Sequence, residues 1–368
     1  MIGLLWVVED QAGKHYLAKT KARLAAEGFD FDPEKLLPSR PPDEENFCAV
    51  PSLVSLGKND ISNPTVAALR ELKWVPSEFV YPGKRTSFTS PASPQPVDWK
   101  AAYDVLRTRY KKLKLPDAPG REVEVLASAL ETRLKHVFEE LEAALERPKA
   151  VLLDVYRIEQ GAGLSAGSFS TYDDIVTLSR LLRLKTHLNI ERSQDEQACS
   201  GIIIRLRLVE AMDSGISGIA FFSASRACGV MEEINADVWL GLEKRFFNKS
   251  QIERLRDHLA SFSWIESMLK CYRYELAKTE SNWQEIKMNR TILFYRTSMD
   301  GNEELASFLP NGLIDFNQAK WLNIQMDWLT HLEKNGEPYR FHCGKWGFTR
   351  KTHEGFALHN LEPIPKPV

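Results

Sequence analysis

The chain has 368 residues, of which 43% are hydrophobic and 27% are charged, and its formal net charge is −2. This composition excludes global disorder, and the length suffices for two ordinary domains or one long helical array. The balance of charges excludes a global field that would draw the chain onto nucleic acid or an anionic membrane.

The five cysteines are widely spaced, odd in number and free of any C-x-x-C pair. This pattern disfavours a disulfide framework and a structural zinc site, and it predicts buried thiols that pack as small hydrophobic groups. The cysteines are Cys48, Cys199, Cys228, Cys271 and Cys343.

The N-terminus opens with one apolar run, from Ile2 to Val8. Spanning a bilayer takes about 20 apolar residues, so this run is too short to cross one. It also lacks the basic region and the cleavage site of a signal peptide. Two interpretations stay open, a short buried segment and the tail of a membrane anchor.

The first third of the chain alternates helical and proline-rich patterns. A helix is predicted over 12–27, and it ends at Gly28, a residue suited to a left-handed C-terminal position. The proline-rich stretch over 36–56 predicts an extended arm that lies on a surface. Asn63 and Pro64 predict the start of a short helix that ends at Leu72, and SFTSPASPQP, residues 87–96, reads as a linker.

Helical patterns dominate the middle of the chain. Asp98 is the predicted cap of a helix with an apolar stripe, and a long helix with a clean apolar face is predicted over 122–146. Further helices are predicted over 194–212, 217–234, 251–260 and 282–288. Three capping boxes mark the starts of helices there: Ser193 with Glu196, Ser250 with Glu253, and Ser281 with Gln284. Residues 202–212 are apolar almost all round, which predicts a place at the centre of the core.

The stretch GAGLSAGSFS, residues 161–170, raises the question of a phosphate-binding loop. Such a loop needs glycines, a helix N-terminus and a nearby cation, but no Lys or Arg occurs between Arg157 and Arg180. Asp173 and Asp174, in the predicted first turn of the next helix, would repel a phosphate. We therefore interpret the stretch as a loop, followed by a cap at Ser170 or Thr171.

No other motif identifies a reaction. His342, Cys343, His353 and His359 are metal-ligand types, but none forms a compact ligand pair, and a small hairpin is the favoured interpretation of that region. His187 reads as a core or boundary histidine. The basic cluster over 107–114 fits the C-terminal end of a helix better than a nucleic-acid surface. We predict no catalytic, cofactor-binding or metal-binding residue, and no nucleic-acid partner.

The segment ARLAAEGFDFDPEKLLPSRPPDEENFCAVPSL resembles the N-terminal signature of a large family of mainly helical, often membrane-anchored bacterial proteins of planctomycete type. In that family a helix leads into a proline-rich arm with the pattern PDExNFAxxP. Three later segments, over 178–212, 249–277 and 308–322, look like further family motifs, so the resemblance extends from about Asp10 to Trp321. The residues of the arm that match are Pro42, Asp43, Glu44, Asn46, Phe47 and Pro51.

The resemblance implies helical architecture and an envelope location, but the family has no established activity to transfer. Members usually begin with a complete transmembrane helix, for which only Ile2 to Val8 could be a remnant here. Longer members continue into a pilin-like tail that this sequence lacks. Association with a membrane through the N-terminus, or a location in the cytoplasm, both stay open.

Together these observations predict an all-α protein of stacked antiparallel helices. We expect an N-terminal helix, arm and linker over 1–96, a main helical domain over 97–290, and a small irregular or β-hairpin region over 291–368. The leading functional hypothesis is a non-enzymatic interaction or scaffold protein at the cell envelope, with a protein partner and no cofactor. The alternative is a hydrolase-type enzyme with an Asp/Glu–His site assembled from distant residues.

Overall fold

The computed structural model of the chain describes residues 2–36, 39–57, 62–72, 98–109, 111–152, 166–214, 220–260 and 262, with scattered positions over 266–280 and 315–326. Within these ranges the fold is all-α, as predicted, and no β-strand occurs. The predicted linker over 87–96 and the predicted C-terminal strands lie outside the described residues. The helices are α1 (Ile2–Ala26), α2 (Pro33–Leu36), α3 (Pro51–Gly57), α4 (Pro64–Leu72), α5 (Trp99–Arg109), α6 (Glu122–Ala143), α7 (Ala166–Glu191), α8 (Asp195–Ser214), α9 (Ala220–Glu243) and α10 (Lys249–Ala260).

The chain divides into two compact units. The first contains residues 1–36 and 272–368, and the second contains residues 37–271. Helices α1 and α2 therefore belong to the first unit, and α3 to α10 belong to the second. The proline-rich arm is grouped with the helices that follow it, whereas the sequence analysis placed a boundary after residue 96.

Helix α1 ends in the way that its sequence predicts. Gly28 has φ +87°, which is the left-handed conformation that glycine adopts without strain. Its N–H donates to the carbonyl of Ala25, and the N–H of Phe29 donates to the carbonyl of Leu24, both at 3.0 Å. This pair of bonds is the Schellman motif, and Phe29 and Leu24 are both buried beside it.

The second unit is built around α8, which packs against α7, α9 and α10. Residues 201–209 are buried without interruption, so the prediction that this segment lies at the centre of the core is confirmed. Helices α7 and α8 approach closely at Gly201. A Cβ atom placed on Gly201 would lie 2.5 Å from Oγ1 of Thr186, so only glycine fits there without a shift.

Two predicted N-caps are confirmed. Oδ1 of Asn63 accepts the N–H of Thr65 at 2.8 Å, and α4 begins at Pro64. Oδ1 of Asp98 accepts the N–H of Ala101 at 3.0 Å, and α5 begins at the next residue. In both cases the side chain satisfies a backbone donor that the first turn of a helix leaves free.

Two other predicted caps were wrong. Ser193 has φ +58° and lies in the turn that ends α7, because only three residues connect α7 to α8. At α10 the cap is Asn248 and not Ser250. Oδ1 of Asn248 accepts the N–H of Gln251 at 3.1 Å, and Oε1 of Gln251 accepts the N–H of Asn248 at 2.9 Å. This is a reciprocal capping box, displaced by two residues from the predicted one.

Helix α7 begins at Ala166, so the cap predicted at Ser170 or Thr171 was also wrong. Residues 161–165 of the glycine-containing stretch lie outside the described part of the chain. Since the helix starts early, Asp173 and Asp174 lie beyond its first turn. Asp173 is 3.0 Å from Arg226 of α9, and Asp174 is 3.9 Å from Arg70 of α4.

Candidate functional site

Five ionisable side chains from three helices meet inside the second unit, and we call them the ion cluster. Arg183 and His187 come from α7, Arg205 from α8, and Glu233 and Asp237 from α9. The two α7 residues are four positions apart, as are the two α9 residues, so each pair lies on one face of its helix. Arg205 is fully buried and Asp237 is 1% exposed.

Asp237 is the acceptor at the centre of the ion cluster. Its Oδ1 accepts from Nε of Arg183 and from Nε2 of His187, both at 2.8 Å. Its Oδ2 accepts from Nη1 of Arg205. Both carboxylate oxygens are thus hydrogen-bonded to cationic or polar donors, which is the condition for a stable buried charge.

Glu233 extends the ion cluster towards the surface. Its Oε2 lies 3.4 Å from Nη2 of Arg205 and 3.9 Å from Nη1 of Arg183, and its Oε1 accepts from Nε of Arg180 at 3.3 Å. The Arg180 side chain is 43% exposed, so the edge of the cluster reaches solvent. On the inner side, Oγ of Ser179 accepts from Nε of Arg205 at 3.3 Å.

The electrostatics keep the ion cluster charged. Burial by itself raises the pKa of the Asp237 carboxyl, but Arg183, Arg205 and His187 together hold that pKa well below its usual range. Burial also lowers the pKa of the Arg205 guanidinium, while Asp237 and Glu233 oppose the decrease. Two buried arginines therefore face two carboxylates, and the interior of the cluster is electrically balanced.

His187 is held by this network in one tautomer. Because a carboxylate can only accept, Nε2 of His187 carries the hydrogen that points to Asp237, an assignment made from the hydrogen-bond network. The side chain is 13% exposed. A histidine positioned by a carboxylate in this way is the arrangement from which a general base can be built. Here the same carboxylate is also saturated by two arginines.

The predicted arm has a buried part and an exposed part. Asn46 and Phe47 are completely buried. The guanidinium of Arg207, on α8, lies 5.6 Å from the centroid of the Phe47 ring, which is a cation–π distance. The other arm residues singled out from the sequence are exposed: Pro42, Asp43, Glu44 and Pro51.

Asn46 fastens the arm to the segment that follows α6. Its Nδ2 donates to the carbonyl of Val151 at 2.9 Å, and its Oδ1 accepts the N–H groups of Val151 at 2.9 Å and of Cys48 at 3.1 Å. The N–H of Phe47 donates to the carbonyl of Lys149 at 2.7 Å. The Asn46 amide thus satisfies buried backbone groups of the arm and of the segment after α6, and this part of the arm belongs to the core.

Helix α9 also carries an exposed apolar pair. Trp239 is 63% exposed and Leu242 is 39% exposed. Since they are three residues apart, they lie on the same face of α9. Exposed Trp side chains that adjoin other apolar groups are typical of surfaces that bind a partner.

Burial disfavours ionisation of two cysteine thiols, those of Cys48 and Cys199. Cys48 and Cys199 are buried thiols, as the sequence predicted, whereas Cys228 is only half-buried. Burial raises the pKa of the Cys199 thiol to about 11 and also raises that of Cys48. The remaining cysteines, Cys271 and Cys343, lie outside the described residues.

The described part of the chain contains neither a metal-binding cluster nor a membrane-spanning helix. There, no group of three or more His, Cys, Asp and Glu side chains is arranged to hold a metal ion. None of the helices described is long and apolar enough to cross a membrane, and the apolar run at Ile2 forms the first turns of α1. The four residues of metal-ligand type in the C-terminal region lie outside the described ranges: His342, Cys343, His353 and His359.

The ion cluster was not predicted from the sequence, although one signal for it was present. The run GIIIRLRLVEAM places Arg205 and Arg207 inside an otherwise apolar helix. Arginine is rarely buried without a partner, so Arg205 pointed to carboxylates elsewhere in the core, whereas Arg207 pairs with Glu210 of its own helix. His187 was taken for a core or boundary residue, and its contact with Asp237 is fifty positions distant in sequence.

The chain matches no family model, no curated protein and no solved structure in the three comparisons made with known proteins. The resemblance to the planctomycete-type family therefore stays a hypothesis that rests on the motif residues of the arm.

Proposed function

We propose that the chain is a non-enzymatic helical interaction or scaffold protein that acts at the bacterial cell envelope. The observation that carries the proposal is the exposed pair Trp239 and Leu242 on α9. A tryptophan side chain buries a large area when it is covered, and tryptophan is enriched among the residues that dominate binding energy.

The ion cluster supports the same proposal. Its charges neutralise one another, and Asp237 already accepts three donors from the chain. A cluster in this state holds α7, α8 and α9 together and leaves the exposed side of α9 available for binding. The envelope location rests on the family resemblance of the arm and on its usual anchor.

Affinity capture tests the proposal. The full chain carries a C-terminal tag, is expressed in its native host and is cross-linked, and the co-purifying proteins are identified in soluble and membrane fractions. We expect a stoichiometric partner in the envelope fraction, and at least about a tenfold loss of it with Trp239→Ala. Tyr16→Ala, which removes an exposed aromatic side chain of α1, is the matched control.

The proposal fails if no partner is captured in either fraction, or if both variants capture it equally well. Deleting the arm is unsuitable as a test, because Asn46 and Phe47 belong to the core and their removal would disturb folding. Surface substitutions avoid this ambiguity.

A second candidate function is hydrolysis, and the contact between His187 and Asp237 favours it. Water activated by the imidazole would attack an ester or phosphoester. The test compares the wild-type chain with His187→Gln on p-nitrophenyl acetate and p-nitrophenyl phosphate. Turnover that His187→Gln abolishes, in a chain with an unchanged circular dichroism spectrum, would establish the enzyme. If the wild type and His187→Gln hydrolysed both substrates only at the same background rate, this second function would be excluded.

A further inference from the structure

The exposed apolar pair belongs to a longer face of α9. At 3.6 residues per turn, six side chains fall within an arc of about 120°. All of them are exposed except Ala236, which is half-buried. The six residues are Glu232, Asn235, Ala236, Trp239, Leu242 and Glu243. We call this surface the α9 outer face.

Charge is distributed along the α9 outer face in a definite pattern. Glu232 and Glu243 lie at its two ends, about 16 Å apart along the helix axis, and the apolar pair lies between them. The nearest lysine in sequence, Lys244, is engaged elsewhere, since its Nζ lies 3.1 Å from Glu191 of α7. The face thus presents an apolar pair between two carboxylates, with Glu243 next to Leu242 and Glu232 about 10 Å along the axis from Trp239.

Glu232 occupies an electrostatically unfavourable position on this face. Although the residue is exposed as a whole, partial desolvation of its carboxyl raises the pKa, and the neighbouring Glu233 raises it further. No cation among the described residues opposes these two effects. A cation supplied from outside the chain would favour the ionised carboxylate, so the position is better suited to a positively charged partner than to none.

We propose that the α9 outer face binds a basic amphipathic segment of a partner protein. Apolar side chains of that segment cover Trp239 and Leu242, and lysines or arginines reach Glu232 and Glu243. The carboxylates disfavour an anionic membrane surface or a nucleic acid, because like charges would be brought together. This inference rests on the proposed interaction function and specifies the chemistry of the partner.

Two helical peptides of about 18 residues test the proposal. Both carry leucines at the same i, i+3, i+4 and i+7 positions, and their remaining positions are lysine in one and glutamate in the other. Binding of each labelled peptide to the full chain is measured by fluorescence anisotropy. We expect the lysine peptide to bind at least about tenfold more tightly, and its affinity to fall between about 50 and 500 mM salt.

Substitutions test whether the lysine peptide binds to the α9 outer face. Trp239→Ala should weaken the lysine peptide about 30-fold, and the double variant Glu232→Gln with Glu243→Gln should weaken it about fivefold to tenfold. Glu124→Gln, which removes an exposed carboxylate on α6, should have no effect. The four substituted residues are all exposed, so their replacement should not disturb the core. Circular dichroism checks that each variant is folded.

The outcomes separate this inference from the proposed function. Equal binding of the two peptides, or binding that the glutamine substitutions leave unchanged, would overturn the inference. If vesicles of phosphatidylglycerol bind the chain through Trp239 and the lysine peptide does not, the surface is a membrane contact and the inference is wrong. If capture of a partner requires Trp239 but not the two glutamates, the proposed interaction function stands. The inference that the partner segment is basic would then be wrong.

Discussion

Replacing Asp237 by asparagine tests the central contact of the ion cluster. Asp237→Asn keeps the size of the side chain but removes the charge that Arg183 and Arg205 share. Removing one partner of a buried ion pair costs about 3 to 5 kcal/mol, because the other charge stays buried without compensation. Glu233 lies 3.4 Å from Arg205 and retains part of the compensation, so we expect about 3 kcal/mol.

Urea unfolding of the full chain at neutral pH measures this loss, and amide hydrogen exchange of α8 assigns it to the second unit. The control is Glu139→Gln, which removes an exposed carboxylate 3.6 Å from Lys135 on α6. An exposed pair of this kind contributes less than about 1 kcal/mol. If Asp237→Asn destabilised the chain no more than the control, the ion cluster would not be what holds the helices together.

The loss of stability caused by Asp237→Asn should depend on pH. The pKa of Asp237 is held below its usual range in the folded chain, so the stabilisation is complete above the unfolded pKa of about 3.9. It is lost as the pH falls from there towards the folded pKa. The difference in unfolding free energy between wild type and Asp237→Asn should therefore shrink between about pH 4 and pH 2. A difference that stayed constant over this range would contradict the assignment.

Urea unfolding of full-length variants tests three further features of the second unit: the Asn46 hydrogen bonds, the close approach at Gly201 and the burial of Asp213. Asn46→Ala removes three hydrogen bonds to buried backbone groups and should cost about 2 to 4 kcal/mol. Gly201→Ala should destabilise by at least about 1 kcal/mol because of the contact with Thr186, whereas Gly229→Ala in α9 meets no atom within 4 Å and should be neutral or stabilising. Burial raises the pKa of Asp213 from 3.8 to about 6, so its ionisation opposes folding, and the wild type loses stability as the pH rises through this window. Asp213→Asn should accordingly stabilise the chain by up to about 3 kcal/mol at pH 8 and by little at pH 4, and equal effects at the two values would contradict this cause.

Local signals account for what the sequence predicted well. Asn63 and Asp98 cap their helices through a backbone donor two or three residues away, and Gly28 ends α1 through bonds within one turn. The apolar stripe of α6 repeats at the helical period, so its buried face could be identified without knowledge of its neighbours. Each of these features depends on residues that are close in sequence.

The ion cluster could not be predicted in the same way. Arg183 and Asp237 are 54 positions apart, and Arg205 and Asp237 are 32 apart. Their contacts depend on which faces of α7, α8 and α9 pack together and on the axial register of the three helices. Hydrophobic periodicity alone determines neither of these. The cap of α10 shows a local limit as well, since Asn248 and Ser250 are both good cap residues and the pairing with Gln251 decides between them.

The ion cluster has a further consequence for how α7, α8 and α9 find one register. Helices that are buried on nearly every side can slide by a turn at little cost in apolar packing, but the Asp237 contacts form in only one alignment. The double variant Arg205→Met with Asp237→Leu leaves Arg183 and Glu233 to balance each other. We therefore expect its free energy of unfolding to lie within about 2 kcal/mol of the wild-type value. Its amide exchange in α8 should nevertheless become faster and less uniform, because several alignments compete. A double variant as unstable as the sum of its single substitutions would show that the cluster supplies stability directly and does not select the register.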